Sequence, residues 1–440
     1  MRSGDNRSRI RSDIPAKISI PELTIDNKNL TSACRDLLYS LAMDLFTKHR
    51  LQRPWIEYLL LTLLFGLVLS LRIRSALFRL PPDPGYYMFD DARHASFWKV
   101  FSYNTWEGYI SILPRLIAIL TRPFPIAYTA ILASLITTLI WSLTAVVLFA
   151  VLRLFTKSAA LAFLGSAMVV FVPSASESSI GNFGNAKWQL FILTSVISAF
   201  PVFYLRFKRT AVAIFIVSGL SGPLAIVAAI PLLASLKHES PKTSRISRLL
   251  FACASSTFAI QLLAFRASGA HTIRGQVVRW GWGKFPIFWN FNLLFPILLA
   301  AVVTSIVLIS FFMSRKIMWE PLNLAITSFA IAAISYVQGG LTDRYFVAPT
   351  VLSWISLILL FHNSQGIAKA VTSVLFFATS AVFLISSFVW FQAHSYLNSG
   401  PTWSSEISRV RIECIETGAE IVNVNLSMGL AQVRCLDLGD

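Results

Sequence analysis

Apolar stretches long enough to cross a hydrocarbon layer recur from residue 55 to residue 392, and short polar connectors separate them. Read at helical periodicity, the pattern predicts spans at roughly 55–75, 126–152, 158–173, 188–205, 249–266, 286–313, 319–338, 346–361 and 370–392. The run from Ala211 to Ser235 is interrupted halfway by Ser218-Gly-Leu-Ser-Gly-Pro223, which predicts a hairpin of two short helices. The stretch from Gly108 to Arg122 is short and carries Pro114 and Arg115 near its middle, so it reads as an interfacial helix. Counting the hairpin as two, the pattern gives about eleven crossings of an all-α polytopic bundle.

The flanks differ. Residues 1–28 are polar, lack apolar periodicity and are expected to be disordered. Leu30, Cys34, Leu37, Leu38, Leu41, Leu45 and Phe46 then share one helical face, as in a helix lying on a membrane surface. Beyond residue 392 the tail reads as a helix followed by short strands, a small lid on the outer face. The organisation is therefore a cytoplasmic segment (1–54), a transmembrane domain (55–392) and an extracytoplasmic tail (393–440). No signal-peptide pattern opens the chain, so the first span is expected to act as an uncleaved anchor.

Composition fixes the class. The chain has 440 residues, of which 55% are hydrophobic and 13% charged, with mean hydropathy +0.65, too apolar for a soluble domain. Its net charge of +17 suggests nucleic acid at first sight, but the cations cluster beside apolar runs, which is a topology signal instead. Lys48, Arg50, Arg53, Arg153, Lys157, Arg206, Lys208, Arg209, the run Lys237 to Arg248, Arg315 and Lys316 mark cytoplasmic turns. With the N-terminus inside, this places the C-terminus outside.

A second set of cations falls on the outer side: Arg72, Arg74, Arg79, Arg93, Lys99, Arg115, Lys187, Arg266, Arg274, Arg279, Lys284 and Arg344. Such a concentration suits an anionic ligand, phosphate above all, although headgroup contacts and snorkelling account for part of it. Among these cations sits the acidic pair Asp90-Asp91, in the loop after the first span. Asp83, Asp90 and Asp91 can supply a general base for an acceptor hydroxyl, with a second carboxylate orienting it or holding Mg or Mn. Arg93, His94 and Arg115 would meet a phosphate. The competing account makes Asp90 the cap of a helix starting near Ala92, with Asp91 in its first turn.

Further candidates lie on the same side. Glu177, Asn182, Asn185 and Lys187 precede the span opening at Trp188 and can line a sugar pocket, or form a solvated turn shaped by Gly181 and Gly184. Arg344, in Asp343-Arg344-Tyr345, is placed for phosphate or for an internal pair with Asp343. Trp106, with Trp98, Trp188, Trp280, Trp282, Trp289, Tyr86, Tyr87 and Tyr103, can stack on sugars or form an interfacial belt. Cys414 and Cys435 in the outer tail can close one disulfide, whereas Cys34 and Cys253 read as packed thiols. The histidines lack zinc spacing, and Asn425-Leu-Ser427 matches a glycosylation sequon.

The segments MFDDARHASFW, WEGYISILPRLIAIL, SSIGNFGNAKWQLF, SGLSGPLAIVAAIPLL and GGLTDRYFVAP together resemble the GT-C superfamily of integral membrane glycosyltransferases, in particular bacterial arabinofuranosyl- and mannosyltransferase-like members. The resemblance covers roughly residues 55–392. It implies a polyprenyl-phosphate sugar donor, a glycan, lipid or protein acceptor of the cell envelope, a bacterial plasma membrane location, and Asp90 or Asp91 as the catalytic base. The chain departs from the pattern in lacking a large soluble outer domain. A lipid-linked saccharide transporter or flippase, a polymerase or ligase of such glycans, and a non-catalytic subunit of an envelope complex are the other readings.

Overall fold

The computed structural model describes residues 54–74, 76–80, 101–102, 108–172, 180–236, 240–268, 304, 318–339, 343–389, 400–426 and 430–438. The chain divides into two compact units, Met1–Gln52 and Arg53–Asp440, and the description concerns the second. The expected disordered segment, the amphipathic helix around Leu37, the span at 286–313 and the loop holding Asp90-Asp91 lie outside the described residues.

The described chain is predominantly helical. In order come α1 (Pro54–Arg72), α2 (Ile112–Thr121), α3 (Thr129–Thr156), α4 (Ala159–Phe171), α5 (Lys187–Ala199) and α6 (Pro201–Arg206). They are followed by α7 (Lys208–Ser221), α8 (Ala225–Ala228), α9 (Leu232–Leu236), α10 (Pro241–Ala267), α11 (Trp319–Gly339), α12 (Val347–Asn363), α13 (Gly366–Val389) and α14 (Trp403–Thr417). Among the described residues, four helices are long and apolar enough to cross a membrane: Trp55–Arg72, Ile126–Thr156, Pro241–Ala267 and Gly366–Ile385. This is fewer than the eleven crossings that the hydropathy pattern suggests. Several apolar runs fold as shorter helices, among them the span expected at 188–205. It breaks at Phe200, because Pro201 pushes the preceding residue into an extended conformation (φ −118°, ψ 91°).

The helices carry apolar outer surfaces, unlike those of a water-soluble bundle. Ile367, Val371, Val374 and Phe377 on α13, and Leu135, Leu139 and Leu143 on α3, form exposed apolar stripes at helical spacing. The interior, by contrast, holds many hydroxyls. Thr137, Thr138 and Ser142 of α3 donate to the carbonyls four residues earlier, at 2.7–2.9 Å, which satisfies each without a solvent partner. Between α11 and α12, Ser328 Oγ donates to the Pro349 carbonyl at 2.7 Å and Ser356 Oγ to the Pro321 carbonyl at 2.5 Å. Those two carbonyls belong to prolines in the first turn of their helices, where a missing N–H costs nothing. All of α5, and α12 from Val347 to Leu360, are covered by other parts of the protein.

Side-chain ties sort the elements into two ends. At one, Arg153 near the end of α3 donates to Glu57 Oε1 in the first turn of α1 at 2.5 Å, and Phe155 stacks edge-on with Phe200 and His362. At the other, Arg72 at the end of α1 meets the end of α4, and Leu80, Ile117, Ile126 and Phe183 pack together. The helical stretch Ile126–Thr156 has 31 residues and joins the two ends, about 45 Å apart at the usual helical rise.

The segment 208–236 doubles back along α10. Tyr204 and Ser247 share a hydrogen bond of 2.8 Å, Gln261 Nε2 donates to the Gly219 carbonyl at 2.7 Å, and Ser244 Oγ donates to the Leu236 carbonyl at 2.8 Å. The chain thus climbs from the level of Ser247 to that of Gln261 and returns. Its turn falls at Gly222-Pro223-Leu224, where the sequence interrupts the apolar run.

The C-terminal segment is a small domain seated on the second end. In it α14 packs against an antiparallel pair, β1 (Ile421–Asn425) and β2 (Leu430–Arg434), in register Ile421↔Arg434 to Asn425↔Leu430. Val422, Val424 and Val433 point inward with Ile407 and Val410, following the alternation of the strands. A disulfide joins Cys414 of α14 to Cys435 just after β2. Trp403 Nε1 donates to the Ile126 carbonyl at 2.7 Å, which pins the domain to the head of α3. Asn425 Nδ2, the amide of the sequon, donates to Glu406 Oε1 at 2.7 Å.

Glu406 is the polar hub of this domain. Burial pushes its carboxyl up, but hydrogen bonds from Arg409 and Asn425 outweigh that and hold it below its usual value. A lowered folded-state value means that the carboxylate stabilises the domain above the usual carboxylate range and ceases to do so as pH falls through the lowered value. Pepsin digestion between pH 2 and pH 5 is therefore expected to open the tail progressively toward the acid end. In Glu406→Gln the tail should be cleaved more readily at pH 5 and depend less on pH; an unchanged profile would remove Glu406 from this role.

Candidate functional site at the head of α5

Two cations expected to meet a ligand are buried at the end that carries the C-terminal domain. Arg115 lies in α2, 3% exposed, and its Nη1 donates to the Ser102 carbonyl at 2.5 Å and to Ser102 Oγ at 2.9 Å. Lys187 is the first residue of α5, 8% exposed, and its Nζ donates to Tyr109 Oη at 2.5 Å while lying 5.0 Å from the centre of that ring. Holding both charges out of water is costly unless polar groups or an anion face them. The helix start beside Lys187 adds partial positive charge from its leading N–H groups.

The turn before α5 explains where Lys187 sits. Asn182 caps a 3-10 turn over Phe183–Asn185, its Oδ1 accepting from the Gly184 N–H at 2.9 Å, and the Asn185 N–H returns to the Asn182 carbonyl at 2.9 Å. Asn182 and Asn185 are both buried, so this is a packed turn and the solvated alternative is set aside. Next to it, Trp188 is 2% exposed and packs edge-on against Tyr345 and Phe191, with centroids 5.6 and 5.5 Å away. Trp188 is therefore enclosed by protein and is not part of an exposed interfacial belt. Among the described residues, the indole N–H of Trp188, the Nδ2 of Asn182 and both amide atoms of Gln189 are buried without a hydrogen-bond partner. Buried polar atoms of this kind ask for water or a ligand.

The hairpin turn closes over the same place. A Cβ placed on Gly222 would lie 2.9 Å from Phe191 Cζ and 3.8 Å from Lys187 Cδ, so the backbone here runs beside the Lys187 stem and any larger residue would have to displace the Phe191 ring. On the far side, Gln261 of α10 accepts from the Ile110 N–H at 2.8 Å and donates to the Ile110 carbonyl at 3.0 Å as well as to Gly219. Ser221 Oγ accepts from the Leu113 N–H at 3.2 Å. The Tyr109–Leu113 segment, the hairpin turn and the head of α5 are thereby fastened to one another.

Other predicted cations separate from this cluster. Arg72 is 2% exposed and donates to the carbonyls of Val170 at 2.5 Å and Val172 at 2.9 Å, capping the end of α4. Arg79 donates to the Gly400 carbonyl at 3.3 Å, and Arg74 and Arg266 are exposed. The turn Asp343–Phe346 brings Tyr345 against Trp188, although the side chain of Arg344 is outside the described residues. Asp83, Asp90, Asp91, Arg93, His94, Trp106 and Glu177 are likewise outside them, and so are the carboxylates named for Mg or Mn. Among the described residues, no cluster of three His, Cys, Asp or Glu side chains could hold a metal ion.

Tyr109, Ser102, Gln261 and Ser221 were not singled out by sequence reasoning. Gln261 had a signal, being the lone amide in the apolar run FACASSTFAIQLLAF, where a polar side chain marks a tie or a site. Tyr109 and Ser102 had none, because only the fold brings them to Lys187 and Arg115. No protein-family model matches the chain, and no characterised protein sequence matches it.

Arg72 separates structural from ligand-binding cations. Arg72→Met is expected to lower stability by about 2–3 kcal/mol, the range for a lost charge-assisted pair of hydrogen bonds. It should do so whether or not a phosphate-bearing lipid is present. Thermal melts in detergent with and without such a lipid would check this, and a loss visible only with the lipid would return Arg72 to the ligand-binding set.

Proposed function

We propose that the protein is a membrane-embedded glycosyltransferase that moves a sugar from a polyprenyl-phosphate donor to a cell-envelope glycan, lipid or protein acceptor. The observation that carries this reading is the burial of Arg115 and Lys187 at one end of an apolar bundle, with the Asp90-Asp91 loop preceding Arg115 in sequence. A lipid phosphate is an anion that arrives through the membrane, and cations sheltered beside the hydrocarbon suit it. In this reading Asp90 or Asp91 takes the proton of the acceptor hydroxyl while the acceptor oxygen bonds to the anomeric carbon. The bond from that carbon to the phosphate oxygen breaks, and the phosphate leaves with the electron pair, its charge met by Arg115 and Lys187. Arg93, His94 and Arg344 are further phosphate contacts, and Glu177, Asn182, Asn185 and Trp106 are sugar contacts. Where a divalent ion takes part, Asp90 and Asp91 are its ligands.

The distribution of charge supports surface chemistry over translocation. In the four described helices long enough to cross a membrane, the charged side chains Glu57, Arg72, Arg153, Lys242, Arg245, Arg248, Arg266 and Lys369 all fall in the first or last third. A transporter for a lipid-linked saccharide needs polar and charged groups continuing through the midplane. We place the protein in a bacterial plasma membrane, with its N-terminus cytoplasmic and the C-terminal domain outside.

Membranes bearing wild type, Asp90→Asn or Asp91→Asn, supplied with radiolabelled polyprenyl-phosphate sugars and an envelope lipid extract, test this. Loss of a general base should reduce transfer by on the order of 100-fold or more in one variant. Both variants matching wild type would end the base assignment, and a wild type that turns over no donor would put the transporter or the non-catalytic subunit ahead.

A further inference from the structure

Gln261 stands out among the buried polar side chains. It is 2% exposed in the apolar helix α10, and its three hydrogen bonds, using both amide donors and the carbonyl oxygen, go to backbone groups of two distant segments. One is Ile110, bound through both its N–H and its carbonyl as a strand partner would be. The other is Gly219, in the last turn of α7. Each of these segments flanks Lys187. Ile110 follows Tyr109, whose hydroxyl receives the Lys187 hydrogen bond, and Gly219 precedes the Gly222 turn that lies against the Lys187 stem. The hairpin seats directly on α10 at this level, since a Cβ on Gly219 would lie 1.9 Å from Thr257 Oγ1, one turn before Gln261.

We propose that Gln261 is a positioning residue for Lys187: by fastening the Tyr109 segment and the hairpin turn to α10, it fixes where the Lys187 ammonium group meets an anionic ligand. An amide suits this role in a dry interior, because it offers donor and acceptor together and carries no charge that would need a counter-ion. Replacing it frees two backbone carbonyls and one N–H that have no water to turn to, so the segments shift until they find other partners. The ammonium group then loses its fixed place. The inference rests on Lys187 being the phosphate contact proposed above.

The test uses the full chain in detergent, with geranyl phosphate as the probe and geraniol as its uncharged counterpart. Wild type is expected to bind geranyl phosphate in preference to geraniol, and Lys187→Met to lose the preference. Gln261→Leu should weaken geranyl phosphate binding roughly tenfold, as expected within one hydrogen-bond network, and add nothing further to Lys187→Met. Gln261→Glu, which keeps the acceptor for the Ile110 N–H, serves as the second variant where Gln261→Leu does not fold, with a smaller loss in the same direction. Ser247→Ala removes the bond between α10 and Tyr204 of α6, about four helical turns from Gln261, and binding should stay within twofold of wild type. Unchanged binding in the Gln261 variants, or an equal loss in Ser247→Ala, overturns the positioning role.

A wild type indifferent to the phosphate would instead strike down the phosphate reading. The rate of Lys187 acylation by an amine reagent, followed by mass spectrometry, then decides the matter for Gln261. It should rise severalfold in Gln261→Leu as Lys187 leaves Tyr109, and an unchanged rate overturns the proposal.

Discussion

A polar group facing hydrocarbon has no water to bond with, and the bundle is organised around that constraint. The hydroxyls of α3 turn back on their own helix, the Ser328 and Ser356 hydroxyls reach the carbonyls of prolines, and Arg72 covers the last carbonyls of α4. Gln261 does the same for two pieces of chain that run outside regular structure or end a helix. Polar side chains therefore act as fasteners between elements, while the apolar stripes of α3 and α13 face outward. These hydrogen bonds add to a buried apolar core that includes Trp141, Trp354, Phe149 and Phe215.

Much of this was legible in the apolar pattern. The long stretches around α1, α3, α10 and α13 sit where the hydropathy places them, and the Gly222-Pro223 interruption marks the turn of the hairpin. Hydropathy does not distinguish a helix surrounded by lipid from one surrounded by protein. The apolar runs of α5 and α12 look like crossings, yet both are buried by neighbours and neither has the length of α3. Pro201 carried the signal that the predicted 188–205 span would break.

The site was legible in its charges and hidden in their partners. Arg115 and Lys187 stand out because cations are rare in such a sequence, and Asn182 and Asn185 do so because amides beside glycine signal a turn. Which cation serves structure could not be read from spacing, since Arg72 stands near the end of one apolar run and Arg115 within another. The fold gives Arg72 two terminal carbonyls and places Arg115 beside Ser102. The tyrosine that meets Lys187 is 78 residues away along the chain, and the glutamine that frames it is farther from Ile110 still.

The enclosure of α5 also bears on how the chain is made. A segment that begins Lys-Trp-Gln and carries Thr194, Ser195 and Ser198 is a poor candidate for partitioning into lipid alone, by the cost of its polar groups. It is stable in the membrane only when its neighbours already surround it. Insertion of α5 is then expected to wait on α7, α11 and α12, which pack against it and are synthesised after it. A nascent chain halted before those helices emerge would hold α5 at the translocon or at the membrane surface.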